Sequence, residues 1–387
     1  MKRKICVVIT ARPSYARIKS ALEAITEHPG LELQLIISGS ALLPKYGSAI
    51  DVIKSDGFIP SAEIYHMIEG ETLLSSAKST GLAVIELSTE LYKLKPDAVI
   101  TIADRYETLA TAIAASYLNI PVVHIQGGEV TGSIDEKVRH AVTKLSDLHF
   151  VSTAMAYKRV VSMGENPNTV YLTGCPSIDL ANTIYDNPKL NFNPFEKYGG
   201  VGHKFDISKN YLIVMQHPIT TEHYLSNEQT LETLQAITEL NIPTFWFWPN
   251  PDAGSAGISK EIRVFREHHI DHKIHFVINM SPEDFLRLAA SSACIIGNSS
   301  LAIRECSFLG VPAVNIGNRQ FGRERGNNVV DSTHNASSII ASVNHQLKRT
   351  DIIQDKLYGE GNSGQKMADI LSECQLSVEK TILVKQQ

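Results

Sequence analysis

The sequence predicts an α/β protein made of two doubly wound, Rossmann-like domains, and three observations predict it. Short apolar runs rich in Val and Ile alternate with segments of helical period from one end of the chain to the other. The alternation lapses once near the middle and then restarts. The chain of 387 residues also exceeds the length that one hydrophobic core usually serves. Continuous apolar strands belong to parallel sheets covered on both faces, because a half-exposed strand would alternate apolar with polar.

In the first half the strand candidates are residues 5–10, 33–38, 98–102, 122–126, 148–151 and 170–173, separated by helical stretches such as 16–27, 106–117 and 136–145. Residues 183–209, TIYDNPKLNFNPFEKYGGVGHKFDISK, then show two prolines, three glycines and no clear period, as a linker or surface excursion would. The pattern restarts over 211–215, 244–248, 274–277, 293–296 and 313–316. The expected division is an N-terminal domain over 1–182, the linker over 183–209 and a C-terminal domain over 210–350. A helical tail over 351–387 is expected to pack back on the N-terminal domain.

Composition narrows the function. Hydrophobic residues at 43% and charged residues at 20% suit a soluble globular protein. A net charge of -5 argues against a nucleic-acid partner, which calls for a basic surface. The five cysteines (Cys6, Cys175, Cys294, Cys306, Cys374) are scattered and form no CxxC pair, which favours buried reduced thiols over disulfides or a metal site. The first apolar run is about six residues long, too short for a secretory signal, and no run reaches the roughly 18 residues of a membrane span. The chain reads as cytoplasmic, without a membrane partner.

Parallel α/β sheets bind ligands beyond the carboxyl ends of their strands, and the chemistry-bearing residues cluster there. After the first strand, Arg12 and Arg17 flank a helix start at Pro13, where free N–H groups attract anions. The plainer alternative is a capped helix with solvated arginines. Asp104 and Arg105 follow residues 98–102; Asp104 suits a helix cap as well as a reacting group, and Arg105 suits phosphate or uracil contact. Gln126-Gly127-Gly128-Glu129 and Asp135-Glu136 place several carboxylates near one strand end, on a glycine loop that permits close approach. The alternative there is a flexible loop with Ser133 or Asp135 as cap. In the second half His217 ends a strand, held out of helix by Pro218. His268, His269, His272 and His275 lack an acidic partner set and are expected as a solvated loop rather than a metal site.

The strongest local signal is Gly297-Asn298-Ser299-Ser300, followed by Glu305 one turn on. A glycine turn and two hydroxyls at a helix N-terminus make a phosphate cradle, and Glu305 can hold the two hydroxyls of a ribose. A simple serine cap or capping box is the alternative. Arg319, Arg323 and Arg325 then follow another strand end, and with the preceding loop they would neutralise a diphosphate.

With these residues in view, the chain resembles the hydrolysing UDP-N-acetylglucosamine 2-epimerases. The stretches that carry the resemblance are IQGGEVTGSIDEKVRHAVTKL, TGCPSID, MQHPITTE, PNPDAGS, GNSSLAIRECSFLGVPAVNIGNRQFGRERGNNV and LYGEGN, in order across residues 4–370. The resemblance implies a glycosyltransferase-B-like pair of domains with UDP in the cleft between them, and a homodimer or homotetramer. It implies nucleotide contacts at Arg12, Arg105, Ser299, Ser300, Glu305 and Arg319, with acid/base roles for Asp104, Asp135 and His217. It calls for no cofactor and no metal. The product would be the free 2-epimer that opens sialic- or legionaminic-acid synthesis. Two departures stand out. Gln126 occupies the place where the family often has a catalytic Glu, and an amide cannot exchange a proton near neutral pH. Glu129 is the nearest carboxylate that could serve instead. Ala103 stands where the family often has Gly. Competing readings are a non-hydrolysing epimerase, a transferase of the same fold and a UDP-sugar binder without turnover.

Overall fold

Strand formation follows the apolar runs. The computed structural model describes residues 2–383 apart from 71, 103, 132–133, 250–251 and 269–271. In chain order the strands are β1 (Arg3–Ile9), β2 (Leu31–Ser38), β3 (Ala62–Ile64), β4 (Ala98–Ile102), β5 (Val122–Ile125), β6 (Leu148–Val151), β7 (Val170–Leu172), β8 (Val201–Gly202), β9 (Leu212–Met215), β10 (Thr244–Phe247), β11 (Ile274–Val277), β12 (Cys294–Gly297), β13 (Ala313–Ile316) and β14 (Val329–Ser332). The helices are α1 (Arg12–Glu27), α2 (Ala49–Ser55), α3 (Leu73–Leu94), α4 (Tyr106–Tyr117), α5 (Ile134–Leu145), α6 (Ala154–Ser162), α7 (Pro176–Asp186), α8 (Pro194–Lys197), α9 (Ser226–Leu240), α10 (Ser255–His268), α11 (Pro282–Ala290), α12 (Glu305–Leu309), α13 (Ala336–Gln346) and α14 (Ser363–Glu373). No helix among the described residues is long and apolar enough to cross a membrane.

The chain forms two Rossmann-like units: residues 1–129, 134–180 and 358–387 make the first, and 130–133 with 181–357 the second. The first sheet runs β3-β2-β1-β4-β5-β6-β7 with every pair parallel. Its central strands β4, β5 and β6 are buried throughout, as their largely apolar character demands. Ile5, Val7 and Ile9 of β1 pack with Ile18 and Leu22 of α1 and with Met367 and Leu371 of α14. Cys6 and Val8 face the other way, with Leu87 and Leu91 of α3 and Ala110 and Ala114 of α4. Each such Leu or Ile contributes about 1.5–3 kcal/mol relative to exposure. Helix α3 starts at a reciprocal cap: Ser75 N donates to Thr72 Oγ1 at 3.0 Å, and Thr72 N donates to Ser75 Oγ at 2.9 Å.

The TGCPSID and LYGEGN stretches meet in this unit. Cys175 N donates to Tyr358 O at 2.7 Å. A Cβ on Gly174, whose φ is +83°, would lie 2.7 Å from Ser363 Oγ and 3.0 Å from Gly359 Cα, so this crossing needs glycine. Asp179 accepts from Ser363 N (2.8 Å) and Gly364 N (2.7 Å) at the start of α14, and from Ser20 Oγ of α1 (2.8 Å). Burial pushes its carboxyl up, and these donors oppose the shift. Farther on, Lys380 pairs with Glu165 at 2.6 Å and donates to the carbonyls of Thr143 and Ser146. Asp179→Ala strips three donors of a charged acceptor, and is expected to lower stability by about 2–4 kcal/mol in urea unfolding. An unchanged midpoint would remove this joint from the account of the fold.

The second sheet runs β14-β13-β12-β9-β10-β11-β8, parallel except for β8, which pairs antiparallel with β11. Residues 183–209, expected as a linker, instead contain the end of α7, then α8 and the edge strand β8. Their aromatic residues explain the difference: Phe195 stacks on Phe245 with centroids 5.3 Å apart, and Phe205 lies 4.8 Å from the same ring. The histidine cluster is corrected by the same packing. His275 is buried on β11, edge-on to Phe195 at 4.7 Å, and its Nε2 pairs with Gly199 O at 2.8 Å. His272 lies against Phe265 and His268 ends α10, while His269 falls outside the described residues.

Candidate active site

In the first unit the polar residues gather beyond β4 and β5. Asp104 does not cap α4; the N-cap residue is Arg105, and it makes no side-chain cap. Asp104, 9% exposed, accepts a hydrogen bond from Nη2 of Arg139, and Ala103 before it lies outside the described residues. Arg139 projects from α5, whose Val138 and Val142 turn this face inward, and is 1% exposed. Its Nη1 donates to the carbonyl of Glu129 at 2.8 Å and to Glu136 Oε2 at 3.1 Å. Burial alone would lower the Arg139 guanidinium, but the carboxylates of Asp104, Glu129 and Glu136 raise it above its ordinary value.

The glycine loop after β5 turns its carboxylate inward. Gly128 has a φ of +76°, and a Cβ there would sit 2.4 Å from Ala156 O, so only glycine allows this turn. Glu129 is consequently 3% exposed, and its Oε1 accepts from Ser152 Oγ at 3.0 Å. Gln126 adopts a φ of +68° and is also buried, but its amide is directed to Cys175 Sγ at 3.0 Å, which lies 3.0 Å from Ser177 Oγ. Asp135 is half-buried in the first turn of α5, and Ser133 lies outside the described residues. Arg105 is held by Glu107, fully buried, through Nε at 3.2 Å and Nη2 at 3.3 Å. Arg12 opens α1 half-buried, and burial lowers its guanidinium to about 10; Arg17 is half-buried one turn on.

In the second unit the ends of the neighbouring strands β9 and β12 are tied by one side chain. Asn298 accepts from His217 N and donates to His217 O, both at 2.8 Å. The carbonyl of Asn298 accepts in turn from Arg319 Nη1 at 3.0 Å and Gln320 Nε2 at 2.9 Å. Gly297 has a φ of +133°, and a Cβ there would meet Met215 O at 2.2 Å. The helix expected to open at Ser299 and Ser300 is broken. A 3-10 turn over Ser300–Ala302 comes first, with Ser299 capping it weakly through Leu301 N at 3.4 Å, and α12 begins only at Glu305. Ser300 Oγ accepts from the buried Arg304 at 3.0 Å. Glu305 Oε2 is buried with no hydrogen-bond partner, 3.9 Å from Arg304 Nε. Among the described residues no group of His, Cys, Asp or Glu is placed to hold a metal ion.

The first unit thus brings Asp104, Glu129 and Glu136 onto one guanidinium, and keeps Gln126 on a separate cysteine–serine pair. The second joins His217, Asn298 and Arg319. Arg139, Ser152 and Gln320 were not singled out from the sequence. A faint signal for Arg139 existed: an arginine three and four residues after Glu136 and Asp135, beside the two valines of the inward face.

In each unit arginines, hydroxyls or buried carboxylates stand beyond the carboxyl ends of parallel strands, where α/β enzymes bind their ligands. A family model described as UDP-N-acetylglucosamine 2-epimerase matches residues 23–372, and the chain belongs to that family. It is 31% identical, over 96% of both chains, to a Legionella pneumophila protein named UDP-N,N'-diacetylbacillosamine 2-epimerase (hydrolyzing). It is 32% identical to a Campylobacter jejuni GDP/UDP-N,N'-diacetylbacillosamine 2-epimerase (hydrolyzing), covering 86% of this chain and 85% of that one. Its fold matches the crystal structure of the Methanocaldococcus jannaschii UDP-GlcNAc 2-epimerase in complex with UDP-GlcNAc and UDP. The TM-score is 0.79 at 18% identity, over 95% of this chain and 99% of that one.

Proposed function

We propose that the protein is a hydrolysing 2-epimerase, converting a UDP-2-acetamido sugar to UDP and the free 2-epimer. The observation that carries this reading is the pair of buried carboxylates just beyond β4 and β5, Asp104 on Arg139 and Glu129 on Ser152, where proton transfer would be needed. The relatives from Legionella and Campylobacter, both named as hydrolysing, support that branch of the family. Both names specify N,N'-diacetylbacillosamine and so support a 4-acetamido sugar, the family model's description supports UDP-GlcNAc, and a free 2-epimer of either kind suits nonulosonic-acid synthesis.

In this reading a base removes the C2 proton while the C1–O bond breaks and its electron pair leaves with UDP. The remaining sugar is unsaturated between C1 and C2. Water then adds: its oxygen bonds C1 with loss of a proton to a base, and an acid returns a proton to C2 on the opposite face. Proton transfers at separate atoms need more than one positioned group, and Asp104, Glu129, Asp135 and His217 are the candidates. Arg12, Arg17, Arg105, Ser299, Ser300 and Arg319 would stabilise charge on the diphosphate. Glu305, whose buried Oε2 accepts no hydrogen bond, suits the ribose hydroxyls. Gly297 and Asn298 would shape the loop, and Gln126 would bind without transferring protons.

NMR of reactions in deuterated water, with UDP-GlcNAc and separately with its 4-acetamido-6-deoxy relative, tests this. The expected result is UDP plus a free 2-epimer carrying deuterium at C2. An intact UDP-linked 2-epimer would assign the non-hydrolysing reaction, protium at C2 would sink the elimination route, and UDP-sugar binding without product would leave a binding protein.

A further inference from the structure

Buried polar groups in folded proteins almost always have a hydrogen-bond partner, and the first unit holds a local exception. Thr10 Oγ1, Ser38 Oγ and both ring nitrogens of His66 are buried without one, in residues 2%, 0% and 3% exposed. Topology brings them together. Ile9 is the register partner of Ile37, and Ser38 of Ile64, so Thr10 follows β1 beside Ser38 and His66 stands two residues beyond β3. With a period of two, Thr10 and Ser38 continue the face of Val8 and Ile36, the one covered by α3 and α4. Gly39 lies between the others: a Cβ there would be 2.9 Å from Thr10 O and 3.2 Å from His66 Nε2. The group stands beyond the carboxyl ends of three parallel strands. His66 also feels the charge of Glu107, the buried carboxylate that holds Arg105.

Each hydroxyl can donate and accept, and a neutral imidazole donates at one nitrogen and accepts at the other. Burial lowers His66 below its ordinary value and so keeps it neutral near pH 7; the carboxylate of Glu107 and the backbone of Ser79 oppose that shift without bonding either ring nitrogen. None of the three side chains brings a positive charge, so a phosphate is a poor match. A hydroxyl or acetamido group, donor and acceptor at once, is a good one. We propose that Thr10, Ser38 and His66 form the subsite for the sugar ring of the substrate, binding its hydroxyl or acetamido groups. The proposal rests on reading the site as one for a UDP-sugar. The four atoms are shut off from solvent, so the sugar reaches them as the 3-10 turn over Gly39–Leu42 yields.

Thr10→Val and Ser38→Ala each delete one hydroxyl with little change of shape, and His66→Leu removes both nitrogens. Removing an unpaired buried hydroxyl strands no other group, so the melting temperatures of the first two variants should hold or rise. The KM for UDP-GlcNAc or its 4-acetamido-6-deoxy relative should rise about three- to tenfold for each hydroxyl, and by roughly tenfold or more for His66→Leu. Titrations with UDP alone should be unchanged. A clear fall in melting temperature of both hydroxyl variants would show that the fold, water included, already satisfies these atoms, and would overturn the proposal. Unchanged KM values would overturn it too, as would UDP affinity lost in step with them. A wild type that turns over neither sugar overturns the functional reading alone. The intact UDP-sugars can then be titrated, and variants that lose affinity for them but not for UDP still support the subsite.

Discussion

Arg139→Met is expected to destabilise the protein by about 3–5 kcal/mol and to remove most of its activity. The side chain is 1% exposed and binds Asp104, Glu136 and the carbonyl of Glu129. Methionine fills much of the volume but leaves carboxylates buried without their cation, and breaking one side of a buried ionic cluster is far more harmful than replacing the whole of it. The abandoned carboxyls should rise above their unfolded values. A carboxyl that is raised in the folded state binds protons there before it does so in the unfolded chain. Stability therefore increases as pH falls through that window. The deficit of the variant against the wild type should accordingly be smaller at about pH 5 than at about pH 8 in urea unfolding. Equal midpoints for variant and wild type at both pH values would show that Arg139 does not organise these groups.

Glu129→Gln is expected to lower turnover by at least ~10²-fold with UDP affinity nearly unchanged. Gln126 offers no exchangeable proton, and its amide is engaged with Cys175 Sγ. Glu129, three residues on, is a buried carboxylate held at Oε1 by Ser152. A glutamine there keeps that hydrogen bond through its carbonyl oxygen and matches the glutamate in shape, so the fold should survive and the loss be confined to catalysis. Melting temperature and UDP titration are the controls. Near-normal turnover would transfer the role to Asp104 or Asp135. Gln126→Glu is not expected to rescue the variant, because its carboxylate would replace an amide donor in the contact with Cys175.

Much of the fold was legible because the signals are local. Residues 98–102, 148–151, 274–277 and 313–316 are strands over the bounds their apolar runs suggest, and Tyr106–Tyr117 is a helix as its period requires. The short edge strands β3 and β8 escaped, since three and two residues carry no readable alternation. Helix α3 carries apolar residues on its outward face as well, Leu74, Ile85 and Tyr92 among them, which blurs the amphipathic contrast that marks a surface helix. Asp104 was visible as a polar residue after a strand, but whether it capped α4 or served a site depended on where Arg139 stood.

By itself the sequence determined that this is a two-unit, mostly parallel α/β protein with polar and charged residues clustered at its strand ends, because strand burial and turn chemistry act between neighbours along the chain. The motif series determined its family for the same reason, being a succession of short local constraints. Only the tertiary structure decided which residues act on one another. Asp104 and Arg139 are 35 positions apart, and Asp179 and Ser363 are 184 apart. The burial of His275 and the packing of residues 183–209 against the second sheet depend on Phe195 meeting Phe245 across fifty residues of chain. Such pairings arise from which surfaces of distant segments exclude water together, and no spacing within either segment encodes them.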